Sequence, residues 1–319
     1  MDVKIEGLNI KYKISGASGR ARTAVVLQGW GTEMNMYDSV SAAIGDRYRV
    51  VQLDLPGFGE SDEPPEAWSV DDYCDFFCKF MGEIKVKKAV LIGHSYGGRM
   101  IIKMASRSSE GELPFEISKI MLIDSAGIMP ERTAMQNLKV KRYKMMRKFL
   151  TSAPVHALFP EVIDYWLSKQ GSEDYKRASA VMKACLVKAV NEDLRGILPS
   201  VKQETLLVWG SEDLDTPISD AHIMESLMPN AALVTLEGAG HYSFLEQPLM
   251  FRSIIRSFLE ADKVAKGGRK TAGAKDSAAK KDSKGKEDSA KKSPKGKGRS
   301  GRKTAGAKDD SAKKGGEKK

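Results

Sequence analysis

The hexapeptide Gly93-His94-Ser95-Tyr96-Gly97-Gly98 directly follows the apolar run Ala89-Val90-Leu91-Ile92, and that junction leaves few ways to fold. A short apolar run ending in Gly-x-Ser-x-Gly reads as a buried strand that turns sharply into a helix and lifts the serine between them. Such a turn crowds the backbone. The positions two residues either side of Ser95 therefore need minimal bulk, and glycine stands at both. Beyond the turn, Arg99 to Ser106 carries Met100, Ile101, Ile102 and Met104 and predicts a helix with a wide apolar face. Ser95 is thereby the candidate nucleophile.

The rest of the chain repeats that strand-helix alternation. Alternating apolar residues from Val3 to Ile14 predict an opening hairpin, and buried strands are predicted at 24–27, 50–53, 89–92, 120–123, 205–209 and 232–236. Ser69 is a plausible N-cap for a helix over 70–81, and the last helix is predicted from about Pro248 to Leu259. This order predicts an α/β fold: a mostly parallel, doubly wound sheet of about eight strands with helices on both faces. The stretch between Ile123 and Thr205 has helical periodicity and few strand signals, too long for one crossover, so an inserted helical cap is expected. The boundaries read as core 1–126, cap 127–203, core 204–262 and tail 263–319. Met135, Met145, Met146, Phe149, Phe159, Tyr165, Trp166, Met182 and Leu186 are expected to form mostly the cap's own core, with a minority facing Ser95. The basic run from Lys139 to Lys148 reads as a solvated helix face.

Charge separates the tail from the core. Of the 319 residues, 263–319 hold 21 basic and 7 acidic, a net of +14, leaving 31 basic and 35 acidic in the rest, a net of −4. From Ala265 onward there is no Val, Ile, Leu, Met or aromatic residue, so nothing offsets the ordering entropy and a disordered Lys-rich tail is expected. Within it Gly268 to Lys281 recurs almost unchanged as Gly301 to Lys314. Such a tail resembles lysine-rich chromatin tails. It suits a solubilising role or a weak non-specific contact with a polyanion or anionic membrane. No apolar run reaches the roughly 18 residues of a membrane span, and a cytoplasmic location is expected. Cys74, Cys78 and Cys185 are an odd number in such a chain and read as reduced thiols, the first two as core residues rather than metal ligands. No residue set calls for a metal or an organic cofactor, and a small molecule is the expected partner.

A serine hydroxyl needs a base, an acid to orient that base, and donors for an oxyanion. His241, in Gly238-Ala239-Gly240-His241 between a predicted strand and helix, is the candidate base among four histidines with His94, His156 and His222. The segment Trp209 to Pro217 supplies three carboxylates, Glu212, Asp213 and Asp215, after the preceding strand. It resembles the G-x-x-D-x-x-x-P turn of the α/β-hydrolase family, with Gly210, Asp213 and Pro217 in register. That resemblance selects Asp213 as the acid, with Asp124, the last residue of an earlier strand, as the runner-up. Asp124 is otherwise expected to end its strand and anchor the cap.

The order Ser95, Asp213, His241 is the family's order, and the resemblance covers essentially 1–262. It implies that Gln28-Gly29-Trp30-Gly31 is the first oxyanion loop, with Gln28 where the family often has histidine, and that the backbone N–H groups of Trp30 and Tyr96 are the paired donors. Asp54 to Ser61 resembles the family's D-x-P-G-x-G-x-S turn. Gln28, Met34, Tyr165, Trp166 and Tyr242 are the candidate pocket residues. The activity implied is a serine hydrolase cleaving a carboxylic ester of a small to medium apolar substrate through an acyl-enzyme. A carbon-carbon bond hydrolase, thioesterase, perhydrolase or iminopeptidase would use the same triad. A reading of another class makes the chain a binding protein tethered to polyanions by its tail.

Overall fold

A computed structural model describes residues 1–130 and 177–267, with scattered positions between 135 and 160; of 261–267 it describes the backbone. Eight strands form one sheet in the order β1-β2-β4-β3-β5-β6-β7-β8. The strands are β1 (Asp2–Ile5), β2 (Leu8–Gly16), β3 (Arg22–Leu27), β4 (Tyr48–Leu53), β5 (Lys88–His94), β6 (Glu116–Ile123), β7 (Thr205–Gly210) and β8 (Ala231–Leu236). β1 and β2 form a hairpin whose turn residues Glu6 and Gly7 both have positive φ, as a two-residue turn between twisted strands requires. β2 is also antiparallel to β4, and every later pairing is parallel. The α/β fold expected from the alternation is the one observed.

Parallel strands are buried on both faces, so alternate residues enter different cores. Val25, Leu27, Leu91, Ile120 and Leu122 pack on one side with α2 (Val70–Glu83) and α3 (Tyr96–Ser109). Ala24, Val26, Ile92, Met121 and Ile123 pack on the other with α1 (Asp38–Ile44) and the final helix. Ser69 caps α2 as expected: its Oγ accepts from Asp72 N at 3.2 Å and Asp72 Oδ2 accepts from Ser69 N at 2.7 Å. α3 is tied to α2 by charge, with the nearly buried Lys103 ammonium 2.5 Å from Asp71 and also paired with Glu192.

Two expectations about the insertion and tail need correction. α4 (Ala180–Val190) lies inside the predicted cap, yet Met182, Cys185 and Ala189 are buried in the α2–α3 core. The Tyr73 hydroxyl of α2 donates to Pro56 O at 3.0 Å and lies 3.7 Å from Met182 Sδ, so this helix closes the main core and not a separate one. Met135, Met145, Met146 and Phe149 stand exposed beside exposed Lys141 and Arg142, because periodicity marks a helix face but not what covers it. Phe159, Tyr165, Trp166, His156 and the remaining lysines and arginine of the basic run lie outside the described residues. After α5 (Ile218–Leu227) and the short α6 (Ser243–Glu246), α7 (Pro248–Gly267) runs eight residues past its predicted end, through lysines and alanines that favour helix. The tail from 268 lies outside the described residues. Cys74 and Cys185 are buried, Cys78 is half-buried, and all three are free thiols.

Close packing between β3 and α3 sets the tolerance of this framework. A Cβ on Gly97 would sit well inside van der Waals contact of the Leu27 carbonyl, a backbone atom with nowhere to go. Gly97→Ala is expected to cost about 1–3 kcal/mol by overpacking, read as a lowered midpoint in urea unfolding at unchanged slope.

Candidate active site

Ser95, Asp213, His241 and the loop of Gln28 and Trp30 each follow the carboxyl end of a parallel strand, where open α/β sheets place their ligands. β5 ends at His94, and Ser95 follows at φ 48° and ψ −108°, a strained conformation that costs a few kcal/mol unless the surroundings hold it. They do. Ser95 N donates to Ile123 O at 3.0 Å, and its carbonyl accepts from Ala126 N at 3.0 Å and Arg99 N at 3.2 Å. A Cβ on Gly93 would come 2.6 Å from Ile101 and 2.7 Å from the Gly97 backbone, which explains the glycine there. The serine itself stays half-buried at the head of α3.

β7 and β8 deliver the candidate acid and the candidate base. His241 Nδ1 lies 2.8 Å from Asp213 Oδ2, with the Asp213 carboxylate wholly buried and the imidazole slightly exposed. The loops meet because Gly210 has no side chain; a Cβ there would lie 2.7 Å from the Ala239 carbonyl carbon. Asp213 Oδ1 also accepts from Asp215 N at 2.8 Å and Thr216 N at 2.9 Å, and Oδ2 accepts from Thr216 Oγ1 at 2.7 Å. Burial alone would raise the Asp213 pKa, but hydrogen bonds from His241 and Thr216 outweigh it and hold the carboxyl below its usual range. For His241, burial alone would lower the pKa; the Asp213 hydrogen bond and charge outweigh it and raise it. The ionised carboxylate thus fixes the Nδ1–H tautomer and leaves Nε2 bare to act as base. Asp213, Asp215 and His241 are close enough to share a cation, but N–H and O–H donors already occupy both Asp213 oxygens. That donor set suits an anion.

Among the described residues, Asp124 bonds neither His241 nor the expected cap through its carboxylate. It is fully buried at φ 44°, where Oδ1 accepts from Gly210 N at 2.8 Å, and Oδ2 accepts from Ser243 N at 3.1 Å and Ser243 Oγ at 2.6 Å. It therefore clips the end of the acid's strand to the turn after the histidine. Burial pushes its carboxyl up to about 7, against the pull of those three donors and with the Asp213 charge adding to the rise. Its strand-end position was legible in the sequence; its partners lie 86 and 119 residues away and were not.

The backbone N–H groups of Trp30 and Tyr96 make no hydrogen bond among the described residues. Tyr96 opens α3, so its N–H is one of the unpaired donors at a helix start. The Trp30 ring packs edge-on against Phe58 and Tyr96, with centroids 4.9 and 5.2 Å apart. Among the pocket candidates, Gln28 is buried inside the loop: its Nε2 donates to the Thr32 carbonyl and its Oε1 accepts from Leu55 N at 3.4 Å. The amide braces the loop from beneath, so Gln28 is a strut and not a pocket wall. Met34 is half-buried and bonded through its backbone, donating to Asp54 Oδ1 at 2.7 Å. Tyr242 lies against the His94 and His241 rings at 5.2 and 5.5 Å. Tyr165 and Trp166 lie outside the described residues. A cavity of about 300 Å³ beside Trp30 is walled by Phe58 and Met182 and rimmed by Glu33, Glu63 and Arg177. Met182 was among the insertion residues of which a minority was expected to face Ser95, and Trp30 was expected in the oxyanion loop; Phe58, Glu33, Glu63 and Arg177 were not singled out as a pocket.

Comparison with known proteins agrees with this architecture. The model of the Alpha/beta hydrolase family matches residues 24–252. Among curated proteins, the chain is 26% identical over 249 residues to the pimeloyl-[acyl-carrier protein] methyl ester esterase of Nitrosomonas europaea, covering 74% of this chain and 95% of that one. A crystal structure of a membrane phospholipase A superposes with a TM-score of 0.64 at 26% identity, covering 82% of this chain and 85% of that one. The enol-lactonase of Burkholderia xenovorans LB400 superposes with a TM-score of 0.62 at 21% identity, over 81% and 99% of the two chains, and shows the shared fold.

Two measurements test this geometry. His241 must be neutral to accept a proton, so its raised pKa moves the acid limb of the rate profile to a pH above the ordinary imidazole value of 6.5; a limb below that value contradicts the Asp213 pairing. Asp124→Asn keeps one acceptor but turns an NH2 toward a backbone N–H, and should cost about 1–3 kcal/mol of stability, seen as a lowered thermal midpoint.

Proposed function

Since the chain belongs to the alpha/beta hydrolase family and is a hydrolase, we propose that it cleaves the carboxylic ester of a small to medium apolar substrate, with Ser95 as nucleophile, His241 as general base and Asp213 as its orienting acid. The observation that carries this reading is the 2.8 Å Asp213–His241 pair, with His241 bonded through its carbonyl to His94, the neighbour of a serine held at φ 48°. The name of the Nitrosomonas relative, a methyl ester esterase, favours an ester over the other bonds the same triad could break.

In the proposed mechanism, His241 Nε2 takes the proton from Ser95 Oγ as the oxygen attacks the ester carbonyl. The carbonyl π pair moves to oxygen, where the N–H groups of Trp30 and Tyr96 receive the negative charge. As the oxyanion collapses, the C–O bond to the alcohol breaks, and the imidazolium returns the proton to the departing alkoxide. Asp213, ionised and buried, stabilises the imidazolium throughout. Water, deprotonated by the same His241, then attacks the acyl-enzyme; the second collapse releases the acid and restores Ser95. One oxyanion donor contributes about 3 kcal/mol in such sites. The cavity beside Trp30 has both apolar walls, Trp30, Phe58 and Met182, and a charged rim, Glu33, Glu63 and Arg177, and residues 127–203 supply part of it through Arg177 and Met182.

Ser95→Ala is expected to lower kcat on short p-nitrophenyl esters by on the order of 10⁴–10⁶-fold, with an unchanged thermal midpoint. Wild-type turnover in that variant would sink the nucleophile assignment. A panel of esters, thioesters, amides and dienoic diketones on both proteins separates ester cleavage from the other bond types.

A further inference from the structure

The residue before the nucleophile is a histidine that the mechanism does not use. His94 is 1% exposed, and its two ring nitrogens face different loops. Nε2 lies 2.7 Å from the backbone carbonyl oxygen of His241, and Nδ1 lies 3.0 Å from the hydroxyl of Tyr37. The Tyr37 hydroxyl is in turn 2.7 Å from the Gly29 backbone N. Tyr37 is also buried, stacked on Phe244 at 5.2 Å, and Phe244 packs edge-on to His94 at 5.3 Å.

The proton directions follow from one atom. A carbonyl oxygen can only accept, so Nε2 carries a hydrogen and donates to His241. Burial pushes the His94 pKa down to about 3, so the ring is neutral and Nδ1 has no hydrogen. Nδ1 must then accept, and the Tyr37 O–H is the donor beside it. With its own hydrogen so used, the Tyr37 oxygen accepts the Gly29 N–H; the Thr32 hydroxyl lies 3.0 Å from it and 2.9 Å from the Gly29 carbonyl, and can donate to either without disturbing the line. Every buried polar group in the line has a partner, the condition under which such a network rigidifies a site. Gly29 has no room for a side chain, since a Cβ there would stand 2.7 Å from His94 Nδ1.

We propose that Tyr37 and His94 are positioning residues: the line of hydrogen bonds from Gly29 through Tyr37 and His94 to His241 holds the oxyanion loop and the general base at one spacing across the nucleophile turn. One end adjoins Trp30, whose N–H meets the oxyanion, and the other is the backbone of the base itself. This rests on the serine hydrolase reading above. A group displaced by about 1 Å at such a site loses on the order of 10²-fold in rate, so a line that fixes two of the three reacting partners acts on the chemical step rather than on binding.

The test measures the inactivation of the full chain by an alkyl fluorophosphonate, separating the maximal rate kinact from the half-saturating concentration. Tyr37→Phe and His94→Leu are expected to lower kinact by about 10-fold and about 100-fold with the half-saturating concentration within about twofold of wild type. The double variant should fall no further than His94→Leu, because both break one line. His94→Gln, whose amide still offers a donor and an acceptor, should recover most of the loss. Unchanged kinact, or a double variant at the product of the single losses, overturns the proposal. Nitrogen-15 NMR of the wild type supplies a readout independent of variant folding: His94 as the neutral Nε2–H tautomer is expected at pH 7, and an Nδ1–H or cationic ring overturns the line. Ser95→Ala runs alongside. Its labelling, or a wild type that does not label, overturns the nucleophile and the line together, whereas an inert Ser95→Ala with a fully active His94→Leu overturns the line alone.

Discussion

Backbone packed against backbone at two glycines is the constraint on which the site depends. At Gly97 the first turn of α3 lies against the Leu27 carbonyl, and the loop carrying Trp30 begins at the next residue. Any side chain at 97 would separate the helix start from that loop, and with it the two N–H groups proposed to share an oxyanion. At Gly210 the end of β7 lies against the Ala239–Gly240 backbone, which brings Asp213 and His241 within one hydrogen bond. These contacts hold because the sheet is buried on both faces and densely packed, so its strand ends form a stiff platform.

On that platform two carboxylates in one region take opposite electrostatic courses. Asp213 receives three donors besides His241 and stays ionised, which is what an imidazolium partner needs. Asp124 is more deeply buried, feels the Asp213 charge, and has its pKa lifted to about 7. It does not touch the imidazole; it grips Gly210 and Ser243, the backbone flanking the acid and the base. Burial and like charge separate the two acids, and their separate duties follow from their partners.

How much of this was legible in the sequence depended on how local the cause was. The turn at Ser95, the cap at Ser69 and the alternation of strands and helices have causes within a few residues, and residue types at fixed spacing carried them, whereas Asp213 was singled out by the resemblance of its turn and meets His241 across 28 residues. Gln28 was placed in a pocket because its loop position was legible, but its amide turns into the protein to bind Thr32 and Leu55. His94 and Asp124 owe their roles to partners more than 50 residues away, and no spacing rule reaches them. The insertion misled for the opposite reason: its helical periodicity was real, but α4 buries that face in the main core, while Met135 and Met145 face outward.

That placement of α4 bears on specificity. Met182 packs on Tyr73 within the core and also walls the cavity beside Trp30. Its sulfur lies over Gly57, whose φ of 87° is a backbone conformation that favours glycine. Trp30 in turn joins the cavity wall to the loop whose N–H is proposed to face the oxyanion, with its ring packed on Tyr96, the other donor residue. A group that fills the cavity meets Trp30 directly and Tyr96 only through the Trp30 ring. Met182 and Trp30 thus line one cavity from the insertion and from the loop after β3, and under the proposed mechanism a change that moves Met182 alters the space beside a residue proposed to donate to the oxyanion.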